Sequence, residues 1–429
     1  MDVTHLIADG LPLWPSVPPL PGGPVVIPTR TGYPVYLSQS QLHRHVLLVG
    51  ATGQGKTNAL YHLVTALRAM ATPRDVLVIF DTKGDYVRRF WCPGDYVLGG
   101  PPPTGEEEDV WNLLEEVRAT DPARREELVA EMGHIVFDDL VRHSREPFFP
   151  KAAQNLFSAG LGIIAEAQGG ATTNQSLLAW WRERDRAALH DVFQQAGRRA
   201  LATYLDPAIG ATALGVLAFL HQAVEGAFVG PFARPGDFSM LRAVRAKGGK
   251  AIFIEYDPAA GKTREPAYRI LMDLAIKEAL GRDHPDGRTF FVIDEFSLLP
   301  HLYHFANGLH FGREAQMSFF VGMQSHAQVH AAYEDDADAI LAGFGTVIAF
   351  RVTDGRTREF IQQLAGRNYK LFHIPSSAPG VRPSDQITQG YTVGDEDVWN
   401  LAVGEALLFM AEAPAPFRAS FARWEPARP

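Results

Sequence analysis

Cysteine is almost missing from this chain: Cys92 is the only one in 429 residues, which excludes an intrachain disulfide framework and suits a reducing compartment. A basic start followed by an apolar core is also missing. MDVTHLIADGLPLWPSVPPLPGG reads instead as an extended, proline- and glycine-rich arm over residues 1–23. No run is long and apolar enough to span a membrane. Residues 152–167 are too few, residues 211–230 are interrupted by His221, Gln222 and Glu225, and both read as core helices. Nor is there an excess of positive charge. Lys and Arg number 40 against 49 Asp and Glu, a formal charge of −9, so any nucleic-acid contact must be local. HExxH, a serine or cysteine nucleophile motif, a nuclease-like carboxylate cluster and a fixed-period repeat are all absent. His301, His304, His310, His326 and His330 lie close in sequence, but no acidic or cysteine partner stands at ligand spacing, which favours solvated or interface histidines.

What is present is one complete phosphate-binding loop. In HVLLVGATGQGKTNAL, residues 45–60, Val46 to Val49 read as a buried strand and Lys56 opens a helix that runs to Met70. Between them Gly50, Ala51, Thr52, Gly53, Gln54 and Gly55 let backbone N–H groups wrap an anion, with the helix's positive end aimed at the same place. Lys56 then reaches the β- and γ-phosphates of ATP, and Thr57 holds Mg2+. Phe290-Phe291-Val292-Ile293-Asp294-Glu295 supplies the other half of a nucleotide hydrolase: a strand, then Asp294 for the magnesium's water shell and Glu295 to polarise the attacking water. Gln324, closing the strand SFFVGMQ, is placed to sense the γ-phosphate or orient water. Arg313 lies 18 residues beyond Glu295, past a helix that carries it away from its own nucleotide. That position suits a finger reaching the nucleotide of an adjacent subunit.

The length favours one large α/β domain with a second domain inserted. The α/β pattern covers residues 24–104 and resumes at 236–429, while residues 105–235 carry helical spacing throughout and read as an all-α insertion. A hairpin is expected over 24–38, turning at Thr31-Gly32, and another closes the chain in EALLFM and FRASFARW. Strands at 46–49, 76–81, 251–255, 289–296, 318–325 and 346–352 are apolar up to their carboxyl ends, so the sheet should be covered on both faces. Residues 375–386 read as a flexible excursion. DTKGD, 81–85, puts polar groups at a strand's carboxyl end, where α/β folds place ligands. Arg242, Arg245, Lys247, Lys250, Lys262 and Arg264 flank the strand at 251–255, as a pore lining or as a solvated face.

These residues resemble the type IV secretion coupling proteins of conjugation, the TraG/TraD-type branch of the HerA/FtsK superfamily of DNA-pumping ATPases. GATGQGKT, DTKGD, FFPKAAQNLF, FSMLRAVRAKGGKAIFIEY, IDEFSLLPHL, the Gly-Arg of Arg313, MQSHAQV and FRVTDGRTREFIQQLAG occur in the family's order. The resemblance implies a RecA-like P-loop core with a mainly parallel sheet, an inserted all-helical domain, and hexamers threading DNA, single- or double-stranded, through a central channel. By matching position, Lys56 and Thr57 are the phosphate-loop pair, Asp294 and Glu295 the second motif, Gln324 the sensor and Arg313 the trans-acting finger. Two departures stand out: Thr82 sits where the family has proline, and no transmembrane segment precedes the motor. The implied setting is therefore cytoplasmic, with recruitment to the inner membrane by a partner. A relaxase, a secretion channel or, for a HerA-like pump in repair or phage defence, a nuclease is the kind of partner expected. A different class of reading is an ATP-switched adaptor that recruits protein cargo without moving DNA.

Overall fold

The computed structural model describes residues 7–8, 23–105, 107–167, 173–206, 208, 210–281, 287–374, 384–413 and 415–426. Most of the arm expected over 1–23, residues 375–383 of the expected excursion and the last three residues lie outside the described residues. The remaining residues of that excursion, 384–386, open the strand Ser384–Tyr391, which pairs antiparallel with Arg367–Ile374.

Apolar runs bounded by turn residues produce the nine strands of the main sheet: β1 Val46–Val49, β2 Val76–Asp81, β3 Tyr96–Leu98, β4 Lys250–Glu255, β5 Thr289–Ile293, β6 Met317–Met323, β7 Thr346–Phe350, β8 Glu405–Met410 and β9 Phe417–Ser420. They follow the order β9-β8-β7-β1-β6-β5-β2-β4-β3 in a mixed, mainly parallel sheet. Every residue of β1, β2, β5, β6 and β7 is buried, as expected of strands covered on both faces. β1 runs parallel to β7 and β6, and β4 runs parallel to β2 and β3. The antiparallel pairs β7–β8 and β8–β9 are the closing hairpin. Of these nine, β3 went unread in the sequence, because three residues carry too little periodicity to announce a strand; the antiparallel pair Arg367–Ile374 and Ser384–Tyr391, outside this sheet, went unread as well.

The chain divides into two compact units. The first comprises residues 1–71, 290–301 and 309–429. Here Val25–Ile27 pairs antiparallel with Val35–Leu37, the expected opening hairpin. Helix α1, Lys56–Met70, buries Ala59, Leu60, Leu63, Val64 and Leu67 at helical spacing. The chain's end holds its outer side: Asn58 Nδ2 donates to the Ala422 carbonyl at 2.8 Å, and the Trp424 N–H donates back to Asn58 Oδ1 at 2.8 Å. Because β1 is flanked by β7 and β6, with β5 next to β6, the carboxyl ends of these strands bring Gly50, Arg351, Gln324 and Asp294 to one edge.

The second unit comprises residues 72–289 and 302–308. Besides β2, β3 and β4 it holds α2 Asp85–Phe90, α3 Leu113–Ala119, α4 Arg125–His143, α5 Phe148–Ala167, α6 Asn174–Arg182, α7 Arg186–Gln195, α8 Gly210–Ala227, α9 Met240–Ala246 and α10 Gly261–Leu280. Aromatic rings fill the centre of this helical insert. Phe157 lies between Phe137 and Trp181, at centroid distances of 5.8 and 6.5 Å. Glu116 is fully buried, and its carboxylate accepts from Trp111 Nε1, Ser239 Oγ and the Met240 and Leu241 N–H groups. It thereby caps α9 from α3. Four donors on one buried carboxylate offset its desolvation.

The cations considered for a pore lining are mostly engaged inside this unit. Arg242 pairs with Glu115, Arg245 with Glu278 and Arg264 with Asp257. Lys247 Nζ donates to the Gly287 carbonyl, and Lys250 Nζ sits 4.7 Å above the Tyr96 ring. Lys262 is exposed.

Candidate nucleotide site

The site lies entirely within the first compact unit. β1 stops at Val49 and the loop from Gly50 to Gly55 turns the chain into α1. Gly50 donates its N–H to the Met323 carbonyl at 3.2 Å and Ala51 to the Arg351 carbonyl at 2.9 Å, so the loop is anchored to the ends of both neighbouring strands. Gly55, the helix N-cap, has φ 118 and takes no side-chain cap. A Cβ there would be strained by that backbone and would also lie 3.1 Å from Gly404 Cα. The first N–H groups of α1 therefore open on the loop's own concavity, the arrangement that binds a phosphate. Lys56 is buried and its Nζ donates to the Gly50 carbonyl at 2.5 Å and the Ala51 carbonyl at 3.2 Å.

Residues far apart in sequence meet at this edge. Thr57 Oγ1 donates to the Asp294 carboxylate, at 3.2 Å from Oδ1 and 3.1 Å from Oδ2. One hydroxyl facing one carboxylate is the hard, all-oxygen donor set that Mg2+ prefers. These two residues fit the ion and would hold it between them. Glu295 is fixed through both carboxylate oxygens. Ser297 Oγ donates to Oε1 at 2.6 Å and Gln324 Nε2 donates to Oε2 at 2.5 Å. The same Gln324 side chain accepts from Thr52 Oγ1 at 3.0 Å. A continuous chain of side chains thus runs from the phosphate loop through Gln324 to Glu295.

Seven of the residues singled out in the sequence come together here: Gly50, Thr52, Lys56, Thr57, Asp294, Glu295 and Gln324. Ala51, Gly53, Gln54 and Gly55 complete the loop. Arg313 does not join them. It is exposed in the turn after α11, Phe305–Phe311, and its side chain bonds to none of Lys56, Thr57, Asp294, Glu295 or Gln324. Sequence reading missed two contributors. Ser297, the small polar residue two positions after Glu295, holds one of its oxygens, and Gly404 packs its backbone against the loop, donating its N–H to the Gln54 carbonyl at 2.9 Å. The serine was visible in IDEFS; nothing in the sequence marks Gly404.

The polar strand end at DTKGD is a different object. Asp81 is buried, and its carboxylate accepts from the N–H groups of Lys83, Asp85, Tyr86 and Val87 at 2.8 to 3.2 Å. Burial pushes this carboxyl up and the four N–H groups pull it down. It caps α2 and has no free face for a ligand. The histidines also differ in part from expectation. Asp338, which sequence spacing did not single out, stands beside His330 at 3.3 Å, and His330 is 3.2 Å from His326.

Sequence comparison decides the family. A model described as the type IV secretion-system coupling protein DNA-binding domain matches residues 32–369, more than three quarters of the chain. The chain belongs to this family of coupling proteins. Among solved structures, this coupling protein is similar to the bacterial conjugative coupling protein TrwBdeltaN70 in its unbound monoclinic form, with TM-score 0.74 and 20% identity over 94% of this chain and 90% of that one. The plasmid coupling protein TrwB in complex with ADP and Mg2+ gives TM-score 0.74 and 19% identity over the same shares. VirB4 of Thermoanaerobacter pseudethanolicus is more distant, at TM-score 0.56 and 14% identity over 94% of this chain and 97% of that one. No curated protein sequence matches. The TrwB likeness extends to the whole architecture, nine-stranded mainly parallel sheet and helical insert together. Among the described residues, no single helix of this coupling protein is long and apolar enough to cross a membrane.

Proposed function

We propose that this coupling protein is an ATP-hydrolysing DNA translocase that works as a ring, with each nucleotide completed by a neighbouring subunit. The observation that carries the reading is the convergence of Thr57 on Asp294 beside a Glu295 whose two oxygens are already held by Ser297 and Gln324. The match to a DNA-binding coupling-protein family supports the track, and TrwB in complex with ADP and Mg2+ supports the cofactors.

In this mechanism the loop N–H groups and Lys56 take the phosphates. Bound Mg2+ would supply charge neutralisation of the β- and γ-oxygens, held by Thr57 and Asp294. Glu295 accepts a proton from the attacking water, and the bonds from Ser297 and Gln324 keep its carboxylate in one orientation. Gln324 links γ-phosphate to base, because it touches Thr52 of the loop and Glu295 with opposite ends of one amide. Arg313, exposed and outside its own site, serves the neighbour's nucleotide as a finger in a hexamer. Residues 105–235 form the helical domain that meets a partner, a relaxase or secretion channel, at a membrane to which the motor is recruited.

ATPase measurements with and without single- and double-stranded DNA test this. DNA should stimulate turnover severalfold, and Arg313→Ala should abolish the stimulation while leaving ATP binding intact. Slow hydrolysis indifferent to DNA would replace the motor with an ATP-switched adaptor. Full-rate hydrolysis by a chain that stays monomeric with ATP and DNA present would remove the ring. A nuclease copurifying with the chain would move it to the HerA-like class of pumps.

A further inference from the structure

Away from the nucleotide site, one group of side chains brings three potential metal-ligating atoms together around a single shared proton. His326 and His330 stand at i and i+4 on α12, His326–Tyr333, so both rings leave the same helix face. α12 ends at Glu334, whose φ is 48, and a tight turn over Glu334–Asp336 feeds a short helix, Ala337–Ala342. Burial of Ala337, Ile340 and Leu341 fixes the rotation of that helix and leaves Asp338 on its outer face beside His330. His330 Nε2 then lies 3.2 Å from His326 Nε2 and 3.3 Å from Asp338 Oδ1, and all three atoms fall within 4.8 Å of one another.

An imidazole nitrogen carries one proton or one lone pair in a single direction. If His330 Nε2 accepts from His326, its lone pair also faces the Asp338 oxygen. If it is protonated, one hydrogen must serve a carboxylate and a ring nitrogen on two different lines. A cation that takes one lone pair from each of the three groups removes the conflict. The two edges that meet at His330 agree: donors about 2.0–2.1 Å from a tetrahedral zinc are about 3.3–3.4 Å apart, against 3.2 and 3.3 Å here.

We propose that His326, His330 and Asp338 bind one divalent transition-metal ion of the Zn2+ class, separate from the Mg2+ that accompanies ATP. The two imidazoles are borderline donors that favour Zn2+, Co2+, Ni2+ or Cu2+ over Mg2+, and the hard carboxylate beside them adds the negative charge any of these ions needs. Three protein ligands leave a position for water, and both histidines line a solvent-reached recess of about 580 Å³ with Arg356, Glu359, Phe360 and Gln363. Arg356 opposes a cation there, while Asp338 and Asp354 favour one. The recess keeps the ion exchangeable, and its place two residues after Gln324 ties it to the turn that carries the sensor.

The test uses the full chain, stripped with a chelator and desalted, with no nucleotide present. Calorimetric titration with Zn2+ should show one equivalent per chain. Co2+ should bind at the same place with visible d–d bands that Zn2+ abolishes and excess Mg2+ does not. His326→Ala and His330→Ala should each weaken Zn2+ binding at least ~10-fold, since even residues behind the ligands have effects of that size. Asp338→Asn, whose side chain is 84% exposed and so carries no packing, should weaken it as well and serves if a histidine variant fails to fold. Asp294→Asn should leave it unchanged. Absence of stoichiometric uptake, uptake that survives both histidine variants and Asp338→Asn, or uptake lost in Asp294→Asn would each overturn the proposal.

Discussion

Each compact unit contains a strand that ends in a turn, passes through a left-handed glycine and enters a helix, yet the two turns do opposite things. In the first, β1 leads through Gly55 into α1; in the second, β2 leads through Gly84, φ 66, into α2. Both backbones gather helix N-terminal N–H groups in one place. In the second turn the protein supplies the anion itself, because the Asp81 carboxylate takes three of those N–H groups and that of Lys83 in the turn. In the first it cannot. β1 ends on the apolar Val49, a Cβ on the Gly50 that follows would come 2.7 Å from Phe350 Cβ, and the longer loop leaves the N–H groups open to an outside anion. A turn open to an anion and a self-filled cap therefore differ by whether a carboxylate stands at the strand end.

The contrast is sharpest in turnover. Glu295→Gln should lower ATP hydrolysis by roughly 10²- to 10⁴-fold while ATP binding stays near the parent value, because the open turn proposed for the phosphates is untouched. Unchanged hydrolysis would take Glu295 out of the mechanism. Next in size, Asp81→Ala should cost about 3 kcal/mol or more in urea unfolding, since it strands several buried N–H groups at once. A variant as stable as the parent would mean that water or backbone adjustment fills that cap. Lys56→Ala should do the reverse, weakening binding of a fluorescent ATP analogue roughly 10- to 100-fold with a melting temperature close to the parent's. Equal destabilisation by both substitutions would collapse the distinction between the two turns.

How legible this was depended on whether a feature is local in sequence. Runs such as VLLV, VLVIFD and TVIAF announce fully buried strands, and the loop between VLLV and KTNAL announces itself by its glycines. Thr57 and Asp294 meet across 237 positions, and that too was readable, because the chemistry of each motif names its partner. What escaped were contacts decided by strand order and turn geometry. Nothing in Thr52 predicts that it bonds Gln324, and the polar end of DTKGD reads first as a ligand site, with a plain turn as the alternative, until the N–H directions are known. Asp338 reaches His330 only because a left-handed Glu334 and a tight turn fold the chain back, and no spacing rule for a continuous helix contains that reversal.

The smallest effect separates the two units by the sign of their response to pH. In the first, His45 is buried at φ 60, accepts from the Phe319 N–H at Nδ1 and bonds the Leu309 carbonyl through Nε2. Burial lowers it to about 4. Its neutral form therefore contributes stability that is complete above about 6.5 and is lost as pH falls toward 4, by about 3 kcal/mol in all. In the second unit, Asp273 is fully buried and accepts from the Tyr303 and His304 N–H groups, and burial raises it to about 6. Its contribution runs the other way, complete below the ordinary aspartate value near 3.8 and lost as pH rises through 6, again by about 3 kcal/mol. Asp75 of the same unit is pushed up by burial but held well below the carboxylate range by Arg288 and the Thr72 N–H, so it changes nothing until pH drops further. Between pH 6.5 and 4.5, hydrogen exchange corrected for intrinsic rates should show β6 losing protection while α10 and residues 303–304 gain it. Global melting should move much less, because the two contributions oppose each other. Protection lost in step by both units would mean that they open as a single cooperative body and that the division between them carries no separate stability.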